Sequence, residues 1–240
     1  MDSGAFCSHL SALPSESRAH MRKEMIWQDP TRAAEYDRQR FGTPLKRWKH
    51  RRDEALLLGL MRRGLESSGL PLQGSTLFDM PCGTGRLMPV FASAGLRVLG
   101  LDVSRPMMLA RPWSQDPEGV MGMLQGSALE LPMADRSVDA SLCMRFLFHL
   151  DDADERIAVL RELARVTRGP ILGQVRYRQT FKHMGRYVRS RVGLSSRYMP
   201  SHSRAEIAAE LQAAGLEMRK LLPVSHLFSD KALFLAIAVG

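Results

Sequence analysis

From about residue 76 onward, short apolar runs alternate with longer segments in which apolar residues recur every three or four positions. Short runs bounded by turn residues read as strands, and the longer periodic segments read as amphipathic helices. Strands are predicted at residues 76–79, 97–101, 120–125, 140–144, 171–175, 216–222 and 231–238. Helices fall between them near 85–94, 105–111, 153–167 and 204–214. Ser203 and Glu206 have the spacing of a capping box at the start of the last helix, and Gly215 supplies its stop. Strands that alternate with helices build a parallel sheet with crossover helices. The last two strands have no helix between them and can form a hairpin. The pattern therefore predicts an α/β fold: a doubly wound, mostly parallel sheet of seven strands with an antiparallel edge strand.

Before residue 76 the pattern differs. Residues 1–23 mix Ser, Gly, Pro and His without a period, so residues 1–24 are expected to be a disordered tail, with Met21 and Met25 as candidate alternative starts. Residues 31–67 favour helix, broken near Gly42 and Pro44. The second helix opens on Lys46, Arg47, Lys49, His50, Arg51 and Arg52 and continues into apolar residues 55–60, so it reads as a basic-headed helix leading into the core. The expected organisation is this tail, an N-terminal helical cap over 25–72, and one domain over 73–240.

Composition narrows the class. The chain has 240 residues, 45% of them hydrophobic and 25% charged, as in ordinary globular proteins. No apolar run approaches the roughly 20 residues of a membrane span, and no secretory signal pattern is visible at the start. Cys7, Cys82 and Cys143 have neither paired nor metal-ligand spacing, which argues against disulfides and against a zinc site. The cytoplasm is the expected compartment. A formal net charge of +9 and a pI near 10.0 favour anionic partners.

The strongest local signal is the run Thr76-Leu77-Phe78-Asp79-Met80-Pro81-Cys82-Gly83-Thr84-Gly85-Arg86-Leu87: an apolar strand ending in an acid, a glycine turn, then a helix. In an open parallel sheet, ligands sit beyond the carboxyl ends of the strands, so this turn lies where a cofactor belongs. The next strand ends in Asp102, which can accept hydrogen bonds from both hydroxyls of an adenosine ribose. A dinucleotide site would share that acid, but its turn requires a third glycine, and here Arg86, Leu87 and Met88 follow Gly85. A nicotinamide-dependent oxidoreductase is therefore disfavoured. Asp79 before the turn suits a ligand bearing an ammonium and a sulfonium better than one bearing phosphates.

These residues resemble the class I S-adenosylmethionine-dependent methyltransferases, in the broad group that includes the ubiquinone and menaquinone biosynthesis enzymes. The resemblance is close over residues 76–175 and holds in outline elsewhere; it implies a Rossmann-like fold and S-adenosyl-L-methionine as cofactor. It places Asp79, Pro81, Gly83, Thr84 and Gly85 at the first cofactor motif, with Pro81 where a glycine is usual. Asp102 falls on the ribose acid, followed by Val103 and Met107. Ser127 and Ala128 fall on the adenine segment, where the family commonly has Gly-Asp-Ala, and Met144 closes the fourth strand. Asp139 stands where the family organises the entry to that strand, and a structural role is expected for it. Ser127 is a departure: a hydroxyl accepts a weaker hydrogen bond than a carboxylate, a difference equivalent to about tenfold in affinity.

Arg145 and His149 follow the fourth strand, in the segment that closes over the methionine end of the cofactor in this family. His149 is a candidate proton acceptor, because imidazole titrates near neutral pH; a packed or hydrogen-bonded role is the alternative. Arg145 is expected to hold carbonyls or the cofactor region. His183 and Tyr177, beyond the fifth strand, are further candidate bases. The Pro-Pro-Tyr type motif of enzymes that methylate exocyclic amines of bases is not present.

Residues 176–191 interleave basic and apolar residues without an acid. On a helix, Tyr177, Phe181, Met184 and Val188 share one face, while Arg178, Lys182, Arg186 and Arg189 line another, so a basic lid is expected within about 176–202. A solvated lid is the plain reading. The functional one joins this segment to the Lys46–Arg52 cluster as a patch for an anionic acceptor, such as a phosphorylated cell-envelope glycolipid or saccharide (lipopolysaccharide), a nucleotide, or a membrane surface; a small-molecule acceptor is the other reading. That reading includes peripheral association at the inner membrane face. Nucleic acid is less favoured, since no recognised RNA-binding module accompanies the patch. The alternative of another class is a methyltransferase-like module that has lost turnover and binds a nucleotide or a partner.

Overall fold

The computed structural model describes residues 29–110, 117–180, 184, 201–225 and 229–239. The expected tail over 1–24, His183 and most of the basic lid lie outside them. The described elements are α1 (Pro30–Phe41), α2 (Pro44–Ser67), β1 (Thr76–Asp79), α3 (Met88–Ala92), β2 (Arg97–Asp102), α4 (Arg105–Leu109), β3 (Val120–Gln125), β4 (Ala140–Cys143), α5 (Ala153–Val166), β5 (Pro170–Arg176), α6 (Arg204–Ala213), β6 (Leu216–Pro223) and β7 (Lys231–Ala238). A turn of 3-10 helix, Leu147–His149, lies between β4 and α5.

The strands form one sheet in the order β3-β2-β1-β4-β5-β7-β6. The first five run parallel, and β7 is antiparallel to both β5 and β6. The reversed strand thus sits one place in from the edge, because β7 folds back from β6 and inserts beside β5. Chain direction across the sheet switches between β1 and β4, which opens a crevice beyond their carboxyl ends.

The alternation of side chains along each strand divides the core in two. Phe78 faces one layer with Leu160, Leu163 and Leu211 from α5 and α6, whereas Leu77 faces the other with Met88 and Phe91 from α3. Helix α2 belongs to this second layer: Leu57, Leu60, Met61 and Leu65 recur at helical spacing and are buried there. At its start, residues 44–48 together with Arg51 and Arg52 are exposed, whereas His50, Asp53 and Glu54 are half-buried. Thr43 caps it by accepting a hydrogen bond from the Lys46 N–H, and Pro44 occupies its first turn. The segment predicted as a cap over the domain therefore contributes half a helix to the domain's own core. The predicted capping box at Ser203 and Glu206 is present, with both hydrogen bonds formed.

Strand ends differ from expectation by one residue at most, and larger differences fall at the following places. The helix predicted from residue 85 begins only at Met88, because Gly83 and Gly85 adopt φ of 58° and 66°, outside the right-handed helical region. The helix predicted to reach residue 111 ends at Leu109, and Arg111 lies outside the described residues. The proposed helical face starting at Tyr177 is corrected at its beginning. Strand β5 extends to Arg176, which pairs with Lys231, and the Tyr177 and Arg178 N–H groups donate to the carbonyls of Asp230 and His202. These residues continue an extended ladder.

Candidate cofactor and active site

Beyond the carboxyl ends of β1, β2 and β4 lies a cavity of about 520 Å³, within the roughly 300–1,000 Å³ typical of small-molecule sites. Asp79 ends β1 and is buried; Asp102 ends the neighbouring β2 and is also buried; both line the cavity. Asp102 organises the turn itself. One of its oxygens accepts the Gly83 N–H at 2.7 Å, and the other accepts the Ser104 N–H at 2.8 Å. The carboxylate thus fixes the glycine turn to β2 at the cavity wall.

The turn is tightened by hydrogen bonds from Cys82 N–H to the Leu101 carbonyl and from Gly85 N–H to the Cys82 carbonyl, both 2.9 Å. Pro81, Gly83 and Thr84 line the cavity, whereas Gly85 shapes the turn without lining it. Val103, Met107, Ser127, Ala128 and Met144 line it as well. Beneath Asp79, Cys143 is fully buried; burial, and after it the neighbouring Asp79 carboxylate, push its thiol well above the usual range. A thiol held protonated is no nucleophile.

The loop after β3, residues 126–135, is held from behind. Glu162 on α5 accepts the Leu131 N–H at 2.8 Å, and Arg165 donates to the carbonyls of Leu131 and Met133 and to Asp135. The hydrogen bond from Arg165 holds the Glu162 carboxyl below its ordinary range. Ser127, at the exposed start of this loop, accepts the Leu129 N–H at 3.2 Å and keeps its own proton to donate. Ser127→Asp would supply the carboxylate that the adenine amino group favours and is expected to tighten S-adenosylmethionine binding by up to about tenfold. Calorimetry checks this, and unchanged affinity would show that residue 127 does not meet the adenine.

Arg145 and His149 both line the cavity. Arg145 follows β4 with φ of 59°, an uncommon conformation for a long side chain that costs about 1–3 kcal/mol. That strain sits at the cavity wall and aims the chain into the 3-10 turn. His149 is exposed, its ring 4.7 Å from that of Phe148. Tyr177 is not brought to the cavity: its ring is buried in the core below β5 and its hydroxyl donates to Gln179. Asp139 has the expected structural role, accepting the Thr76 N–H at 2.8 Å before β1 begins. Sequence reasoning missed Phe148, Glu155, Arg176 and Lys231 as lining residues. Only the β5 to β7 pairing brings Lys231 there, and no local motif signals it.

Asp79 and Asp102 fit a ligand with a cationic end and a ribose. Among the described residues, no group of His, Cys, Asp and Glu could hold a metal ion, and no helix is long and apolar enough to cross a membrane.

The chain is similar to a cypemycin N-terminal methyltransferase from Streptomyces sp., 36% identical over 41% of this chain and 40% of that protein. It is similar to a demethylmenaquinone methyltransferase from Bacillus licheniformis, 27% identical over 64% of this chain and 59% of that one. It spans well under two thirds of the length of these relatives. Its fold is similar to magnesium protoporphyrin IX methyltransferase from Synechocystis PCC 6803, solved with bound S-adenosylhomocysteine, with a TM-score of 0.68 at 20% identity over 90% of this chain and 100% of that one. The mostly parallel seven-stranded sheet is the Rossmann-like fold of S-adenosylmethionine-dependent methyltransferases. Residues 78–169, which carry Asp79, Asp102, the glycine turn and the segment after β4, match the family described as a methyltransferase domain.

Proposed function

We propose that the chain is a methyltransferase that uses S-adenosylmethionine to methylate an anionic acceptor of the cell envelope, such as a glycolipid or saccharide. The observation that carries this reading is the pair of buried carboxylates, Asp79 and Asp102, at the tips of adjacent strands around one cavity. When bound, S-adenosylmethionine supplies a methyl group on a cationic sulfur that leaves as a neutral thioether. Asp79 would hold the ammonium end, Asp102 the ribose hydroxyls, and Ser127 with Ala128 the adenine. Arg145 and the 3-10 turn wall the cavity, so the protein's share is alignment and exclusion of water. His149 stands at the cavity edge, where it would accept a proton from acceptors that must lose one.

The acceptor class rests on charge. A net charge of +9 favours an anionic molecule. The first half of α2 exposes Leu45 and Trp48 among Lys46, Arg47, Arg51 and Arg52, with the Arg52 guanidinium 5.8 Å from the Trp48 ring. Apolar and basic residues on one exposed helical stretch suit an anionic glycolipid surface, with the enzyme peripheral to it. Incubating the chain with labelled S-adenosylmethionine and either the envelope or the soluble fraction of a cell extract tests this. Label is expected in an anionic product of the envelope fraction. Label confined to neutral or cationic soluble products contradicts the acceptor class, and no label in either fraction contradicts the enzyme reading.

A further inference from the structure

The head of α2 presents two chemically different faces. Leu45, Trp48 and Arg52, spaced by three and four residues, share the outward face, where all three are exposed. His50 and Glu54 continue the helical stripe of Leu57 and Met61 and so lie on the opposite, inward face, where they are half-buried. There they meet Arg86, which follows the glycine turn and lines the cofactor cavity. Glu54 Oε1 lies 2.7 Å from Nε2 of His50 and 3.7 Å from Nη1 of Arg86, and the same Nη1 abuts both ring nitrogens of His50. Arg86 thus ties the head of α2 to the cavity wall. The head is also the part of α2 that opens most readily, because burial in the core begins only at Leu57. A ligand that binds the ordered head alone suppresses that opening, and with it the release of Arg86.

Residues 44–52 hold Lys46, Arg47, Lys49, Arg51 and Arg52 and no acid. Asp53, the next acid, lies 3.6 Å from Arg52. Over residues 29–54, which include α1, eight Lys and Arg stand against five Asp and Glu, so the neighbouring acids do not cancel the charge. Leu45 and Trp48 are 63% and 59% exposed among these cations. That combination suits a lipid surface with anionic headgroups; a free anion offers nothing to the apolar pair. We infer that an anionic lipid surface docks on the outward face of the α2 head and, by holding His50 and Glu54 against Arg86, tightens S-adenosylmethionine binding. The inference rests on the reading above that the chain works at an anionic envelope surface, and adds its consequence for the cofactor. Linkage makes the effect reciprocal: the cofactor strengthens docking by the same factor.

The test uses the full chain with vesicles of phosphatidylcholine alone or of phosphatidylcholine mixed with phosphatidylglycerol. Sedimentation measures docking, and calorimetry measures S-adenosylhomocysteine affinity with and without vesicles. The chain is expected to sediment with the anionic vesicles only, and S-adenosylhomocysteine to bind about fivefold more tightly in their presence, the lower end of ordinary coupling between sites. Trp48→Ser with Arg51→Glu should abolish both effects. Glu54→Ala should dock at least as well as the wild type, with the gain in S-adenosylhomocysteine affinity cut below about twofold; a thermal melt confirms that it is folded. Absence of docking, docking that leaves S-adenosylhomocysteine affinity unchanged, or a gain that survives Glu54→Ala overturns the inference. A single-stranded oligonucleotide that produces the gain where anionic vesicles do not assigns the face to nucleic acid and also overturns it. Failure of S-adenosylhomocysteine to bind under any condition strikes the cofactor reading and this inference with it, whereas binding that ignores the vesicles strikes the inference alone.

Discussion

Asp102→Asn is expected to weaken S-adenosylmethionine binding about a hundredfold. On the proposed reading the carboxylate would accept from two ribose hydroxyls, each charge-assisted bond being worth roughly 1.5–3 kcal/mol, against about 1 for a neutral acceptor. The amide also turns an NH₂ group toward either the Gly83 or the Ser104 N–H, both of which the carboxylate accepts. One anchor of the glycine turn is lost with the ribose contact. Together these amount to about 3 kcal/mol, or two decades in affinity. Calorimetric titration measures the change, and a thermal melt confirms that the variant is folded. A loss below about threefold would show that Asp102 serves the turn and not the ligand.

Arg156→Ala is expected to cost about 3–5 kcal/mol of stability, through a group that no sequence motif marks. Arg156 is buried on α5 and donates from Nε and Nη2 to the two oxygens of Glu210 on α6, at 3.0 and 2.5 Å. Its Nη1 donates to the carbonyls of Leu150 and Asp151 at 2.8 and 3.1 Å. The hydrogen bond with Glu210 raises the Arg156 pKa above its ordinary value. Truncation leaves Glu210 without this partner and releases two carbonyls beside the 3-10 turn that walls the cavity. At this chain length the loss corresponds to a melting temperature lower by on the order of 10 °C. A double variant, Arg156→Leu with Glu210→Leu, should recover much of it, because no charge is then left buried without its partner. Equal destabilisation of single and double variants would contradict the pairing.

The contrast between Asp102 and Arg156 shows which parts of the molecule were legible beforehand. Strand positions followed from apolar runs because β1, β2 and β4 are buried on both faces, and the glycine turn followed because Gly83 and Gly85 adopt backbone angles that other residues avoid. The two acids were legible because each ends such a strand. Lys231 as a lining residue was not, since it is brought to the cavity by a ladder pairing residues 170–176 with 231–237, which no local pattern encodes. Tyr177 was placed on a helix because its neighbours repeat at helical spacing. Its N–H is instead drawn into the β ladder by the Asp230 carbonyl, which carries the ring into the core. The pairing partner overrode the period.

Calorimetric titration of the wild-type chain with S-adenosylhomocysteine, with NAD as the control ligand, tests the central claim most directly. Binding of S-adenosylhomocysteine at about micromolar affinity, near −8 kcal/mol, with none for NAD, is the predicted result. No heat from S-adenosylhomocysteine, or a preference for NAD, would contradict the assignment of Asp79 and Asp102 to an adenosyl sulfonium site.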